Sequence, residues 1–439
     1  MRAHFSRLAE HLRSQLQAGE AFTLWLSAER TDFVRFNHGK VRQAGQVAQS
    51  YLDIKLVLGE KHVSQNLSLA GNDDDLPLID RILIELRAAL QDVADDPYML
   101  LNAVPQSSER LDATALPPSE TMVADILAAA EGVDLVGILA AGPVQYGFAN
   151  SQGQLNWQET VSWNFDWSLY AHGDKAVKRG SAGKVWSSEQ LRIEIAEARE
   201  QLALLKRPVK TLAPGSYRAY FTPAALAELM SMLNWGGYSE KQLRAKRSPL
   251  LKLADGELSF SPMLTVTEDT LQGLAPAFQA EGFIKPDRVP LISAGKYAGS
   301  LVSPRTAKEY GIAGNGAGVW ESSESLDVAA GSLPHQDVLK ALGTGLYVSN
   351  LWYLNFSDRM AGRVTGMTRF ATFWVENGEI VAPLNVMRFD DSLYRLLGSE
   401  LEALTVERDL LADPGSYGAR SSASARLPGA LVRAVNLVL

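Results

Sequence analysis

Residues 303–318 read SPRTAKEYGIAGNGAG, and the four glycines in this stretch decide which fold class the chain can have. Glycine is the usual residue where the backbone takes a positive φ or approaches another group closely. A dinucleotide-binding fold needs G-x-G-x-x-G directly after a strand and before a helix. Here the glycines follow the helix-like TAKEYG, and no G-x-x-x-x-G-K-[ST] motif occurs. The stretch therefore argues against a nucleotide-binding α/β fold.

The first half of the chain mixes helical and strand patterns, which predicts an α+β fold with an antiparallel sheet. Helices are predicted over 1–18, 78–93, 119–131 and 187–206, and strands over 21–29, 31–45 and 50–69, with strand pairs over 133–153 and 158–183. Ser119 and Ser187 are the predicted N-caps of the third and fourth helices.

The second half predicts a β-rich domain, since short strand patterns there alternate with Gly and Pro. One helix is predicted over 223–235, with Thr222 as its cap and Pro223 at its first position. Glu376-Asn377-Gly378 predicts a hairpin turn. Because residues 207–223 carry prolines and turn residues, we place the boundary near 206–214. The predicted domains are an N-terminal α+β domain, 1–206, and a β-rich C-terminal domain, 207–439.

Composition and charge exclude several classes of site. The chain of 439 residues has no cysteine, so disulfides, thiolate nucleophiles and cysteine–zinc sites are excluded. A net charge of −8 argues against nucleic acid as the main partner. The N-terminus has no apolar signal region and no apolar run reaches membrane-spanning length, so we expect a cytoplasmic protein.

Catalytic motifs are scarce. The six histidines never lie three to five residues apart, so no helical pair could bind zinc. Ser293-x-x-Lys296 matches one element of a penicillin-recognising nucleophile motif, but the companion S-D-N and K-T-G elements are missing. Two interpretations stay open, a turn between two strands and a nucleophilic pair.

The stretch NFSDRMAGRVTGMTRF, residues 355–370, concentrates arginines and glycines. Arg359, Arg363 and Arg369 lie near Asp358, and arginine is the preferred residue for bidentate binding of carboxylates. This pattern predicts a substrate-binding role. A solvated hairpin with charges on its outer face fits the pattern equally well.

Four segments occur in the order seen in the TldD/PmbA family, which the second half of the chain resembles. GTGL and FWVENGEI are closer to the PmbA branch, also called TldE. The segments are APAFQAEGF (275–283), SPRTAKEYGIAGNGAG (303–318), LGTGLYVSNL (342–351) and FWVENGEI (373–380). The resemblance implies an N-terminal α+β domain, a β-rich C-terminal domain and a heterodimeric metalloprotease acting on peptides. It also implies that the TldD subunit binds zinc through H-E-x-x-x-H on a helix and a distant cysteine.

The chain departs from that zinc motif. The corresponding helix, 223–235, has Glu228, Met232 and Leu233 where histidines would lie. We therefore expect a non-catalytic subunit without a cofactor of its own, which shapes the substrate cleft and pairs with a zinc-bearing, TldD-like paralogue. Two alternatives are an independent hydrolase using Ser293 and Lys296, and a stand-alone homodimer that binds peptides.

If the chain shapes a substrate cleft, as the resemblance implies, the glycine-rich stretch is predicted to lie at the edge of that cleft. Gly314 and Gly316 are predicted to leave the backbone bare, so that an extended peptide can pair with it. Together with the three arginines and Asp358 they form the predicted substrate site. No catalytic residue and no metal ligand is predicted. A link to DNA gyrase, attached to some family names, gains no support from an acidic chain.

Overall fold

The fold begins with two successive units of the same order, helix, three-stranded antiparallel meander, helix. The computed structural model describes residues 1–112, 114–173, 175–416 and 418–438. The first unit comprises α1 (Arg2–Ser14), β1 (Glu20–Asn37), β2 (Lys40–Leu58), β3 (Lys61–Ser68) and α2 (Asp75–Ala89). The short strand β4 (Ser108–Leu111) follows it. The second unit comprises α3 (Ser119–Ala129), β5 (Asp134–Asn150), β6 (Leu155–His172), β7 (Lys175–Gly183) and α4 (Ser188–Leu204).

The two units join through their first strands into one sheet. β1 pairs antiparallel with β5, which gives the order β3-β2-β1-β5-β6-β4, with β7 also paired to β6. α1 and α2 share a core with Leu24 of β1, and α3 and α4 share another with Phe36 farther along the same strand. The predicted antiparallel sheet of an α+β fold is confirmed, and it contains a structural repeat that the sequence did not show.

Several predicted boundaries in this half were wrong. The stretches 21–29 and 31–45 belong to one strand up to the turn at His38-Gly39, and 133–153 holds the single strand β5. The polar residues Glu29 and Thr31 resemble a strand end in the sequence. In the structure both are buried, and the Thr31 hydroxyl donates to the Glu29 carboxylate at 2.7 Å.

The two predicted N-caps had different outcomes. Ser187 caps α4 by accepting a hydrogen bond from the Gln190 N–H at 3.1 Å, as predicted. Ser119 is instead the first residue of α3, and its hydroxyl donates to Asp32 of β1. A tertiary partner therefore takes the hydroxyl that the sequence assigned to the helix end.

The second half contains short helices and many strands. They are β8 (Gly215–Phe221), α5 (Pro223–Asn234), α6 (Glu240–Arg244), α7 (Leu251–Ala254), β9 (Val266–Asp269), β10 (Arg288–Ser293), β11 (Lys296–Tyr297), α8 (Pro304–Tyr310), β12 (Ser325–Val328), α9 (Val338–Leu342), β13 (Gly345–Asp358), β14 (Arg363–Glu376), β15 (Glu379–Pro383), β16 (Arg388–Ser392), β17 (Leu401–Ala412) and β18 (Ser424–Leu437). This half is β-rich, as predicted.

Part of the second sheet closes on itself. β8 pairs in parallel with β13 and antiparallel with β18, so β8, β13, β14, β16 and β18 form a ring. Apolar residues of every ring strand share one core with α5, and these include Phe221, Leu346, Val364, Phe389 and Val435. α5 therefore packs against the inner side of the ring. Its predicted start is confirmed, because Thr222 accepts a hydrogen bond from the Ala225 N–H and Pro223 follows.

The outer side of the ring packs on the first sheet. Tyr220, Tyr347 and Phe373 point away from α5 and share a core with Trp167 of β6 and Leu202 of α4. Alternation along β8 explains this arrangement, since successive side chains of a strand point to opposite faces. The two halves therefore share buried apolar surface. No helix in the described part of the chain is long and apolar enough to cross a membrane.

Candidate functional site

Helix α5 presents apolar side chains where the family resemblance implies zinc ligands. Met232 is 4 % exposed and Leu233 is 1 % exposed, and both pack inside the ring. Glu228 faces outward on the same helix. Neighbouring protein atoms displace water and raise the pKa of the Glu228 carboxyl, while the charge of Lys178 on β7 opposes this shift. A lone carboxylate on this helix offers one potential ligand.

The histidines are dispersed, and several pair with single carboxylates. Nε2 of His4 lies 2.7 Å from Asp75, and Nε2 of His11 lies 2.7 Å from Asp80. His38 and His62 contact Asp134 and Asp96 in the same way. Among the side chains that the structure describes, no group of three His, Asp or Glu residues is placed to hold a metal ion.

Two of the predicted arginines are held against aromatic rings. The Arg359 guanidinium donates to the carbonyl oxygens of Trp235 and Arg247, the latter at 3.0 Å, and it lies 5.2 Å from the ring centre of Phe356. Arg369 lies 4.0 Å from the ring centre of Trp352. Contacts of this kind fix a guanidinium while leaving donors free.

The other members of the predicted set have local partners. Arg363 forms an ion pair with Asp390 of β16. The Asp358 carboxylate accepts a hydrogen bond from the Ala361 N–H at 3.0 Å and so closes the β13–β14 turn. Arg363 and Arg369 are six residues apart on one strand, roughly 20 Å. The structure therefore does not gather the three arginines into one cluster.

The glycine-rich loop is fixed to its surroundings. Asn315 donates from its side chain to the Ser300 carbonyl at 2.7 Å and accepts from the Val302 N–H at 2.8 Å. Gly316 has φ +68°, and a Cβ there would lie 2.9 Å from the Ile284 carbonyl oxygen. Gly314 is exposed, and a Cβ there would lie 3.2 Å from the Ala307 side chain. Packing explains the glycine at 316, whereas Gly314 is open to solvent.

The loop leads into a turn that displays apolar side chains. Val319 is 64 % exposed and Trp320 is 83 % exposed. The next residue, Glu321, is buried and accepts hydrogen bonds from the Ser239 hydroxyl at 2.6 Å, the Lys241 N–H at 2.9 Å and the Ser303 N–H at 2.8 Å. The turn is therefore anchored directly beside its most exposed residue. Sequence reasoning missed it, although an apolar pair directly after a glycine-rich loop was a usable signal.

A small recess, partly open to solvent, borders the same loop. Its lining includes Glu268, Lys285, Asn315, Gly318 and Glu324. Burial raises the pKa of the Glu268 carboxyl, and hydrogen bonds from Ser323 and Ser325 oppose this shift. Lys285 is paired with Glu324. The polar groups of the recess thus largely satisfy one another.

Ser293 and Lys296 lie opposite each other across the turn between β10 and β11. Ala294 and Gly295 form the turn with positive φ values, which is typical of a two-residue hairpin. Both side chains are exposed. The strand-turn interpretation is therefore the geometry observed, and an exposed hairpin tip offers little of the water exclusion that activates a nucleophile.

The chain is a two-sheet α+β protein. Its first sheet is built from a repeated helix–meander–helix unit, and this sheet packs on a ring of strands that surrounds one helix. A family model described as the PmbA/TldA metallopeptidase C-terminal domain matches residues 214–438, just over half of the chain. The chain therefore belongs to the PmbA/TldD family. No curated protein sequence matches it.

Solved structures with the same fold cover nearly the whole chain. TldE from Thermococcus kodakarensis has a TM-score of 0.78 and 14% identity, with 99% of this chain and 100% of that chain covered. A Thermotoga maritima protein named for a proposed modulation of a DNA gyrase has a TM-score of 0.76 and 16% identity, with 99% of each chain covered. A Bacteroides thetaiotaomicron protein with a similar name has a TM-score of 0.75 and 15% identity, with 99% and 98% covered.

Proposed function

We propose that this chain is the zinc-free, non-catalytic subunit of a heterodimeric metalloprotease of the TldD/TldE type, which acts on peptides. The proposal rests on the apolar character of the inner face of α5. Met232 and Leu233 are buried there, at the positions where the family resemblance implies zinc ligands in a catalytic subunit. Family membership and the fold shared with TldE support the same role. Zinc would then be bound by the partner.

Co-expression with a histidine-bearing family member from the same genome tests this proposal. Peptide cleavage is measured for each chain alone and for the pair, with and without a chelator. We expect cleavage by the pair, sensitivity to the chelator and no cleavage by this chain alone. A partner variant without its helix histidines is the matched control. Cleavage by the isolated chain, unaffected by the chelator, would contradict the proposal.

Within this role, Arg359 and Arg369 are the arginines best placed to hold a peptide carboxylate. Each is positioned by aromatic rings, and neither forms an ion pair in the described part of the chain. Asp358, Gly314 and Gly316 stay in the proposed substrate region as parts of its turn and loop. Arg363 is the matched control, since Asp390 already binds its guanidinium.

The arginine proposal is tested with single alanine variants in the assembled pair. We expect Arg359→Ala and Arg369→Ala to raise KM for peptides with acidic side chains, and Arg363→Ala to change KM little. Equal KM values for all three variants and the wild type would show that these arginines do not bind the substrate.

A further inference from the structure

An exposed aromatic surface lies at the C-terminal end of α5. Trp235 directly follows the helix and is 57 % exposed. Its neighbour Asn234 donates to the Ser323 carbonyl at 2.9 Å and accepts from the Ser323 N–H at 2.6 Å. This pair of hydrogen bonds ties the turn that bears Trp320 to the end of α5. The two exposed tryptophans thus lie on neighbouring, mutually anchored segments.

The surface is rigid on both sides. Glu321 fixes the turn with three hydrogen bonds, and Arg359 bonds the carbonyl oxygens of Trp235 and Arg247. Gly236 permits this close approach, because a Cβ there would lie 2.8 Å from Nη2 of Arg359. An exposed tryptophan on a rigid segment loses little conformational entropy on binding, and tryptophan and arginine dominate the binding energy of protein interfaces.

We propose that this face is the interface for an acidic surface of a different protein subunit, and we call it the tryptophan surface. It comprises Trp235, Arg247, Val319, Trp320, Phe356 and Arg359. The inference rests on the proposed function, since that function supplies the partner, a histidine-bearing family member. The three hydrogen bonds of Glu321 fix the backbone directly after Trp320, so the turn presents this side chain from an anchored position.

The charges of the tryptophan surface select the partner. Its two charged members are both arginines, and burial lowers the pKa of Arg359 with no carboxylate among the described residues offsetting the shift. The nearby Asp358 carboxylate accepts the Ala361 N–H within its own turn, and its single negative charge leaves the two guanidinium groups in excess. A twofold contact between identical copies places the same patch on both sides. Like charges would then meet across it, whereas an acidic partner complements it.

Calorimetric titration of the full chain with the purified histidine-bearing family member tests the inference. We expect Trp320→Ser to weaken binding roughly 30-fold or more. Arg247→Ala should weaken binding less and should reduce its dependence on salt. Ile84→Ser on α2, which replaces a side chain that is 66 % exposed, and Arg42→Ala on β2 are matched controls. Thermal unfolding of each variant verifies that it folds.

The possible results distinguish a failure of the proposed interface from a failure of the proposed subunit function. Wild-type binding with no loss in Trp320→Ser and Arg247→Ala would overturn the tryptophan surface and leave the subunit proposal standing. No binding by the wild type would overturn both. Sedimentation that shows a wild-type homodimer and a monomeric Trp320→Ser variant would identify the occupant as a second copy and overturn the choice of an acidic partner.

Discussion

At the scale of single residues, Glu321 anchors the turn that follows the glycine-rich loop. Its carboxylate joins the starts of α6 and α8 to the turn that carries Trp320. Replacement by alanine would leave buried donors without an acceptor. We expect Glu321→Ala to lower the free energy of unfolding by about 2–3 kcal/mol. Chemical denaturation measures this, with the half-buried Glu309 on α8 as control. A loss no larger than that of Glu309→Ala would show that the hydrogen bonds are dispensable.

Glu20 predicts a pH-dependent contribution to stability in the first sheet. Hydrogen bonds from Arg87, at 2.8 Å each, lower the pKa of Glu20 below its usual 4.5. A carboxyl with a lowered folded-state pKa stabilises the protein above its unfolded pKa, and this stability disappears as the pH falls through the folded value. Glu20→Gln should cost about 1–2 kcal/mol at pH 7 and less below pH ~4.

Urea unfolding of wild type and Glu20→Gln across this pH range measures the difference. Arg87→Ala serves as the companion background, because it removes the largest cause of the shift. In that background the effect of Glu20→Gln should depend less on pH, and the Gln17 N–H, which also donates to Glu20, should keep a smaller part of the dependence. A difference that stays constant down to pH ~3 would contradict the assignment.

At the scale of elements, the glycine-rich loop predicts different costs at neighbouring glycines. Gly316→Ala should destabilise the protein by about 1–3 kcal/mol, because its φ is positive and the Ile284 carbonyl oxygen occupies the space. Gly318→Ala is the control, since its Cβ would lie 3.9 Å from the nearest atom. Thermal unfolding measures both. Equal stability of the two variants would show that the loop adapts. Gly316 therefore has a structural role in the loop besides the role in substrate handling that we propose for it.

Local chemistry explains which elements the sequence could predict. Thr222-Pro223 and Ser187 mark helix starts through bonds to neighbouring backbone groups, so they are visible in a short window. Strand lengths were less visible. The polar Glu29 and Thr31 satisfy each other inside β1, and that pairing exists only once the sheet is formed.

The same distinction between local and tertiary contacts applies to the candidate site. The run of arginines was visible in the sequence, but the ion pair of Arg363 with Asp390 joins residues on different strands and could not be predicted from spacing. The exposure of Trp320 depends on hydrogen bonds that Glu321 accepts from two distant segments, the starts of α6 and α8. The lack of histidines in α5, in contrast, could be seen directly in the sequence, because it depends only on which residue types occupy the helix.

At the scale of the whole molecule, the shared core predicts that the two sheets stabilise each other. Phe373 is on the outer side of the ring and belongs to the core that includes α4 and β6. Phe373→Ala should cost about 3–5 kcal/mol and reduce amide protection in both sheets. Phe389→Ala, inside the ring, should cost a similar amount and leave the first sheet protected. Hydrogen exchange distinguishes these patterns, and identical patterns would contradict the shared core.

The ring has a consequence for where its chain ends can be joined. Its first strand, β8, and its last strand, β18, are neighbours, and Gly215 lies opposite Leu437. The residues matched by the family model, 214–438, begin and end next to this pair. A polypeptide thus enters and leaves the unit at one edge, about one strand spacing of 5 Å apart. The ring can therefore be circularly permuted with a short linker inside the whole protein, because neither attachment point disturbs the ring or the helix inside it.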